Sequence, residues 1–215
     1  MDWTRARSDE QIEQRINEIV DATVRLYEEN RYEDITIAMI AKEANFTRSN
    51  LYRYFQTKED IFLELIKHDI EVWRKDTLET FADINPSLQE VAEIFITLIL
   101  KHTRMVKLFT ILFTLLEPNA SLEALTSFKK KITEELGFVA QFLGTKLPFP
   151  SVESAAEFLS TQSYLAIGAF PMINLTPKQK EAMQAIGEET NPEYYRERLV
   201  HATELLLKGM IDNHP

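Results

Sequence analysis

Between Thr36 and Phe62 the chain reads TIAMIAKEANFTRSNLYRYFQTKEDIF. Arg48, Ser49, Asn50, Tyr52, Arg53 and Tyr54 crowd into one short stretch with no acidic residue among them. Arginine can bond guanine bidentately, Asn can read adenine, Ser suits either base, and a Tyr hydroxyl suits a phosphate oxygen. The chemistry on offer is recognition of phosphates and base edges rather than the making of bonds.

Those side chains need short, well-started helices to hold them. Thr36 can cap a first helix, with Ile35 and Ile40 as a hydrophobic staple across the cap. Thr47 can cap a second in the same way, with Phe46 and Leu51 as its staple. Thr57-Lys58-Glu59-Asp60 opens a third as a capping-box variant, Asp standing where Glu or Gln is usual. Asn45 sits where the chain must turn sharply, and Asn tolerates the left-handed conformation. Three caps at such intervals describe a helix-turn-helix. On its second helix Leu51 and Phe55 face the core, Ser49 and Arg53 lie roughly opposite, Tyr52 flanks one side, and Asn50 and Tyr54 the other. Arg48 projects from the first turn. Lys58 brings a cation and free backbone N–H groups to the next helix start, a phosphate clamp. The plainer alternative is a solvated face on an ordinary bundle; caps, staples, charge bias and spacing together favour the binding helix.

The segment resembles the DNA-binding motif of the tetracycline-repressor (TetR) family of bacterial transcriptional regulators. The resemblance rests on Thr36, Ile40-Ala41, Ala44, Phe46-Thr47, Leu51-Tyr52, Tyr54-Phe55, Lys58-Glu59 and Phe62, about the first quarter of the chain. Asn45 departs from the family's usual Gly, and Tyr54 stands where His is also common. The candidate DNA contacts are Thr36, Thr47, Arg48, Ser49, Asn50, Tyr52, Arg53, Tyr54 and Lys58. Arg48, Ser49, Tyr52 and Arg53 fall to base and backbone reading, and Thr47, Tyr54 and Lys58 to phosphates.

The formal net charge of −10 sits awkwardly with double-stranded DNA as partner until its distribution is considered. Residues 45–58 carry Arg48, Arg53 and Lys58 against no Asp or Glu, a local balance of +3. Arg5 and Arg7 add charge on a tail that could reach an adjacent groove. The acidic remainder would favour one docking orientation and weaken non-specific binding. With 0 Cys there is no disulfide, thiolate metal site or cysteine nucleophile, which suits a reducing cytoplasm. No signal-peptide pattern opens the chain, and its longest apolar run, Leu108–Leu116, is too short to span a bilayer. A soluble, cytoplasmic protein without membrane contact is expected.

At 215 residues, 45% hydrophobic with 5 Gly, the chain suits an all-α protein. Residues 1–57 read as a three-helix head, its first helix running from Asp9 to Asn30 under a Ser8 cap, with Ile12, Ile16, Ile19, Thr23 and Leu26 on one face. Residues 58–215 read as a helical effector-binding and dimerisation bundle, joined to the head through a shared helix, Lys58–Phe81, with no flexible linker. Ile61, Leu65, Ile66, Ile70 and Trp73 form that helix's stripe, and Ile84–Ser87 breaks the chain after it. Helices follow at Leu88–His102, near Arg104–Leu116, and at Leu122–Leu143, Val152–Phe170, Pro177–Ala185 and Pro192–Ile211. Glu117-Pro118-Asn119, Leu147–Pro150 and Phe170-Pro171 punctuate them.

Phe95, Phe109, Phe113, Phe128, Phe138 and Phe142 are many aromatics for helices that surround one space. They could line an apolar cavity, with His102, Thr103, Thr110, Gln141 or Gln162 orienting a ligand; ordinary core is the plainer reading for any one of them. The resemblance implies a small-molecule effector there, apolar or aromatic. Ala155, Ala156, Leu159, Ser163, Ala166 and Gly168 on one late helix, and Leu199, Ala202, Leu206 and Met210 on the last, permit close packing. Pattern alone favours packing within the chain; the resemblance and the two-fold symmetry of a palindrome reader favour a homodimer. His68, His102, His201 and His214 lack metal-ligand spacing, and neither a nucleophile elbow nor a phosphate-cradling loop points to an enzyme or a cofactor. The resemblance implies a sequence-specific DNA-binding regulator, a repressor released by its effector. The alternative is a helical ligand-binding or protein-interaction module without DNA recognition.

Overall fold

The computed structural model describes residues 3–188 and 191–212, and the side chains of 10–188 and 191–211. These residues form helices α1 (Trp3–Glu29), α2 (Ile37–Glu43), α3 (Arg48–Leu51), α4 (Lys58–Phe81), α5 (Leu88–Lys101), α6 (Thr103–Ile111), α7 (Glu117–Asn119), α8 (Leu122–Lys146), α9 (Val152–Ile173), α10 (Pro177–Ala185) and α11 (Pro192–Asp212). The all-α class is as expected. The chain gathers into two compact units, one of Met1–His68 with Leu112–Lys131, the other of Asp69–Ile111 with Ile132–Pro215.

The first unit is built around the start of α4, where Ile61, Phe62, Leu63, Leu65 and Ile66 are all buried. A helix apolar all round must be covered on more than one side, so burial here is wider than the expected stripe. Phe62 meets the rings of Tyr27 and Tyr32 edge-on at 5.5 and 5.1 Å. α1 begins at Trp3, not Asp9, because Trp3–Ser8 holds neither Gly nor Pro to stop it. The backbone at Ser8 is therefore already helical; the side chains of Arg5, Arg7 and Ser8, like His214, lie outside the described residues. Ile12 is 46% exposed, so the buried stripe of α1 starts about two turns later, with Ile19, Ala22, Thr23 and Tyr27.

The capping box at Thr57 forms in full and does more than cap. Asp60 accepts from the amides of Gln56 and Thr57 at 3.0 and 3.1 Å and from the Thr57 hydroxyl at 2.9 Å. Thr57 Oγ1 in turn accepts from the Asp60 amide at 3.1 Å. The Ser121 amide, just before α8, donates to the same carboxylate at 2.8 Å.

In the second unit, α9 packs on α11 and α6, and α11 on α5. Its core holds an aromatic chain in which Phe95 lies edge-on to Trp73 at 6.2 Å and to Phe158 at 5.2 Å. Ion pairs tie its helices together, among them Arg104 bidentate on buried Asp69 at 2.6 and 3.0 Å, Arg74 on buried Glu135, and Arg196 on Glu93 at 2.9 Å. Gly144 lets α8 end against the start of α9, where an added Cβ would meet the Val152 backbone at 3.3 Å.

Two expectations about breaks change. Residues Leu112–Leu116 form a π-helical turn between α6 and α7 rather than the end of an ordinary helix. Pro118 has no N–H for the Thr114 carbonyl four residues back, so the α register cannot close there. Pro171 does not end α9, which runs on to Ile173, where Asn174 caps Phe170 through its backbone and side-chain nitrogens, each at 3.0 Å.

Replacing Asp60 with Ala removes a cap and strands the Ser121 amide, which should cost about 2–4 kcal/mol. Urea unfolding monitored by circular dichroism checks this; a loss under about 0.5 kcal/mol would contradict the anchoring role. Asp76 gives a second expectation. Lys101 Nζ and His102 Nε2 sit 2.6 and 2.9 Å from its Oδ2. The Lys101 hydrogen bond, helped by His102 and opposed by partial desolvation, holds the carboxyl below its ordinary range. A depressed carboxylate contributes stability that is present above the unfolded value, about 4, and lost as pH falls through the folded one. Asp76→Asn should therefore be less stable than wild type at pH 7, and the difference should shrink as the pH falls below about 4.

Candidate nucleic-acid interface and apolar cavity

The helix-turn-helix is assembled by local bonds that its sequence dictates. Thr36 Oγ1 accepts from the Met39 amide at 3.3 Å and Thr47 Oγ1 from the Asn50 amide at 3.2 Å. Asn45 takes φ 59°, the left-handed turn, and the Phe46 amide returns to the Ala41 carbonyl at 2.7 Å. The staple residues Ile35, Ile40 and Leu51 are buried, Phe46 half so. α3 is a single α turn; the bonds Arg53 N–H to Asn50 and Tyr54 N–H to Leu51, at 3.2 and 2.9 Å, then tighten the chain to three-residue spacing.

This geometry buries Leu51 and Phe55 and leaves Arg48, Ser49, Asn50, Tyr52 and Arg53 exposed. Among the described residues, no intramolecular hydrogen bond or ion pair engages the Ser49, Asn50 or Arg53 side chains. Arg48 lies over the Tyr52 ring, 6.0 Å from its centroid, with its guanidinium 3.5 Å from the phenol oxygen. Tyr54 is half-buried, its ring edge-on to Phe46 at 6.2 Å, while Arg15 covers the Phe46 ring at 5.6 Å. Thr36 and Thr47 spend an acceptor lone pair on their caps, but each hydroxyl keeps its proton for an outside oxygen.

Lys58 differs from expectation. Its ammonium donates to the Tyr32 carbonyl at 3.0 Å and lies 3.9 Å from the centre of the Tyr32 ring. The side chain thus holds the 3₁₀ turn Tyr32–Asp34 in place instead of reaching outward. Tyr32 completes the clasp by donating to Glu59.

A cavity of about 90 Å³ opens in the second unit between Ile70 and Trp73 of α4, Phe95 of α5, Phe109 of α6, and Leu159 and Ser163 of α9. Of the expected ligand contacts, Phe95 and Phe109 line it. Phe138 does not: the inward face of α8 runs through Glu135, Val139 and Leu143, which puts Phe138 off the stripe, 58% exposed beneath the Arg74 guanidinium. Phe113 is 57% exposed under Lys129, and Phe128 is core; both belong to the first unit. His102 closes α5 and faces Asp76 rather than the cavity. The Thr103 hydroxyl donates to the Leu100 carbonyl at the end of α5 and the Thr110 hydroxyl to Lys107 within α6, and Gln141 is exposed. Gln162, fully buried, meets Thr203 of α11 with 3.0 Å between Oε1 and Oγ1.

The close-packing stripes also resolve differently. Ala155, Leu159, Ala166 and Leu199 are buried within their own unit, and Ser163 and Ala166 line the cavity. Leu206 and Met210 pack on the core, and Ala202 is half-buried. Outward residues of α9 include Ala156, Ser160, Tyr164, Gly168 and Met172, with exposed Glu153 and Glu157 near its start; on α11 Leu205 is 55% exposed. A Cβ added at Gly168 would meet nothing in this chain. Ala156 and Gly168 of this face were among the small residues that the sequence singled out; Ala155, Leu159 and Ala166, singled out with them, turn inward.

Among the described residues no helix is long and apolar enough to cross a membrane. Compared with known proteins, the first 65 or so residues and the remainder match separately. Residues 19–65 match the family described as "Bacterial regulatory proteins, tetR family", and residues 67–214 match "Tetracyclin repressor-like, C-terminal domain". HbdR, an HTH-type transcriptional regulator of Aromatoleum sp. (strain CIB), is 31% identical over 65 residues, 30% of this chain and 28% of HbdR. The fatty acid metabolism regulator protein of Bacillus subtilis (strain 168) is 40% identical over 50 residues, 23% of this chain and 26% of its own. The matched stretches thus span little more than a quarter of either relative. In fold, the fatty acid degradation regulator FadR of Bacillus halodurans superposes with a TM-score of 0.57 at 18% identity, covering 94% of this chain and 97% of FadR. The TetR family repressor AlkX of Dietzia sp. strain DQ12-45-1b does so at 0.56 and 14%, covering 90% and 95%. With family matches to both parts, the larger spanning well over half its length, the chain belongs to the tetR family of bacterial regulatory proteins.

Proposed function

We propose that this chain is a cytoplasmic, homodimeric, sequence-specific DNA-binding regulator, a repressor that leaves its operator when an apolar small molecule fills the cavity of the second unit. The observation that carries the reading is the outer face of α3 and the turn after it: Ser49, Asn50 and Arg53 are exposed and unengaged among the described residues, on a helix fixed by its Thr47 cap. In a chain of net charge −10, a face that presents cations and amides without an acid is suited to phosphate and base edges. Arg48 and Arg53 contact bases or phosphates, the Thr36, Thr47 and Tyr54 hydroxyls donate to phosphates, and Lys58 acts by holding the Tyr32 turn rather than by direct contact.

Two copies would associate through the outward face of α9 and α11, centred on Ala156, Ser160, Tyr164, Gly168, Met172 and Leu205. An uncharged, partly small stripe with an unfilled Gly168 suits close approach of a second helix pair. The two α3 helices then read half-sites about 34–36 Å apart, or a multiple. The effector's route to the head is α4, which carries Asp60 near its start and Trp73 on the cavity wall. Release requires only that the effector bind the DNA-incompetent arrangement more tightly.

Gel-shift against the promoter DNA beside its own gene tests the reading. A sequence-selective shift that weakens with salt is expected, and its absence at every effector state would overturn the proposal. Arg53→Ala should weaken that shift by about 1–3 kcal/mol with loss of selectivity at one base if it reads a base, or lower the salt slope by about 1 if it holds a phosphate. Leu205→Glu places an unpaired carboxylate in the dimer face and should raise the dimer dissociation constant about 100-fold or more, measured by analytical ultracentrifugation. A variant that stays dimeric at micromolar concentration would move the interface elsewhere.

A further inference from the structure

Charges on the exposed faces of α9 and α11 are sorted by helix. Glu153 and Glu157 of α9 are exposed, four residues apart, and Ser160 and Tyr164 follow them at helical spacing on the same face. α9 contains no Lys or Arg. On α11 the residues Tyr194, Arg198, His201, Leu205 and Lys208 recur at the same spacing, and all five are exposed. That line holds two permanent cations and no acid. The exposed acid Glu197 stands about 100° round the helix from Arg198.

The two cations differ in what they already hold. Lys208 is paired within its own helix by Glu204 at 2.6 Å. Arg198 donates to the Tyr194 phenol oxygen at 2.9 Å, and its guanidinium lies 5.3 Å from the centre of that ring. A phenol and a ring orient the guanidinium without neutralising it. Among the described residues no ion pair engages Arg198, Glu153 or Glu157. One face therefore presents two carboxylates on one helix and an unneutralised guanidinium on the other.

Across a two-fold axis contacts are reciprocal: where residue i meets j, j also meets i. Laid on the α9 of a second copy, α9 finds no cation for either carboxylate. Laid on the α11 of a second copy, it finds Arg198, and symmetry makes that meeting twice. We propose that the dimer is crossed, α9 of each copy lying on α11 of the other, with Arg198 of each copy paired to Glu153 and Glu157 of its mate. This rests on the reading of α9 and α11 as the dimer face. The charges then select the occupant, since the surface that complements this face is the same face turned through the two-fold.

The test is sedimentation of full-length variants. Arg198→Glu, and separately the double change Glu153→Lys with Glu157→Lys, set like charges against each other at both reciprocal sites. Each should raise the dimer dissociation constant about tenfold or more. Mixed in equal amounts, the two variants should form a heterodimer about as tight as wild type, because each site again holds acid against cation. A single chain carrying all three changes should likewise regain the wild-type constant, which a folding defect would not allow. If neither variant weakens the dimer, or neither the mixture nor the triple variant recovers it, the crossed pairing is overturned while the dimer reading stands. If wild type itself sediments as a monomer at micromolar concentration, both fall.

Discussion

A buried carboxylate with no cation partner among the described residues organises the first unit. Asp60 is 3% exposed, and its two oxygens gather the Gln56, Thr57 and Ser121 amides with the Thr57 hydroxyl. Amides of the turn before α4 and of the turn before α8 thereby converge on one charge. Hydrogen bonds to an ionised acceptor are stronger than neutral ones, and a helix N-terminus favours negative charge, so the site meets its own desolvation cost. The angle at which α4 leaves the helix-turn-helix is fixed here, and with it the pose of α3. Nearby, the Lys58–Tyr32–Glu59 clasp holds the turn that leads into α2. The recognition face can be loose in its side chains because its backbone is held twice over.

The second unit is built on the opposite principle. Its helices are tied by ion pairs at their rims, Arg104 with Asp69 and Arg74 with Glu135, while its interior is left incompletely filled. An apolar cavity of about 90 Å³ opens among Ile70, Trp73, Phe95 and Phe109, and an apolar molecule that fits it would bury surface there. Binding energy is then available for a shift in the helices that form the wall, provided that the filled and empty arrangements differ.

The head was legible in the sequence because its determinants are local. Thr36, Thr47 and Asp60 cap within three or four residues, and Asn45 declares its own turn; side chains at such spacing meet whatever surrounds them. Lys58 escaped, since its partner Tyr32 lies 26 residues away and nothing in its neighbourhood distinguishes an inward ammonium from an outward one. The bundle was legible in its helix limits but not in its faces. Phe95 and Phe109 were found on the cavity wall, yet Phe113, Phe128 and Phe138 look the same in composition and differ only in which helix happens to lie opposite. On α9 the choice between Ala155-Leu159-Ala166 and Ala156-Ser160-Gly168 turns on a rotation of one residue, and both stripes are small and uncharged. Pro171 and the π turn at Leu112–Leu116 mark the remaining limit, where tertiary packing overrides a local breaker.

The brevity of α3 sets a ceiling on information. One α turn and three tighter residues, Arg48 to Tyr54, span about 10–14 Å along their axis, the length of roughly three or four base pairs. In the proposed dimer two such windows specify about six to eight base pairs, a word that recurs once in about 4 × 10³ to 7 × 10⁴ positions, whereas a genome presents about 10⁶ or more. Letters alone therefore do not single out one address for this fold. The missing discrimination has to be carried by the stiffness and groove width of the DNA between the two windows, or by contacts made outside α3. A substitution in the spacer that the side chains never touch would then matter to this regulator as much as one beneath Arg53.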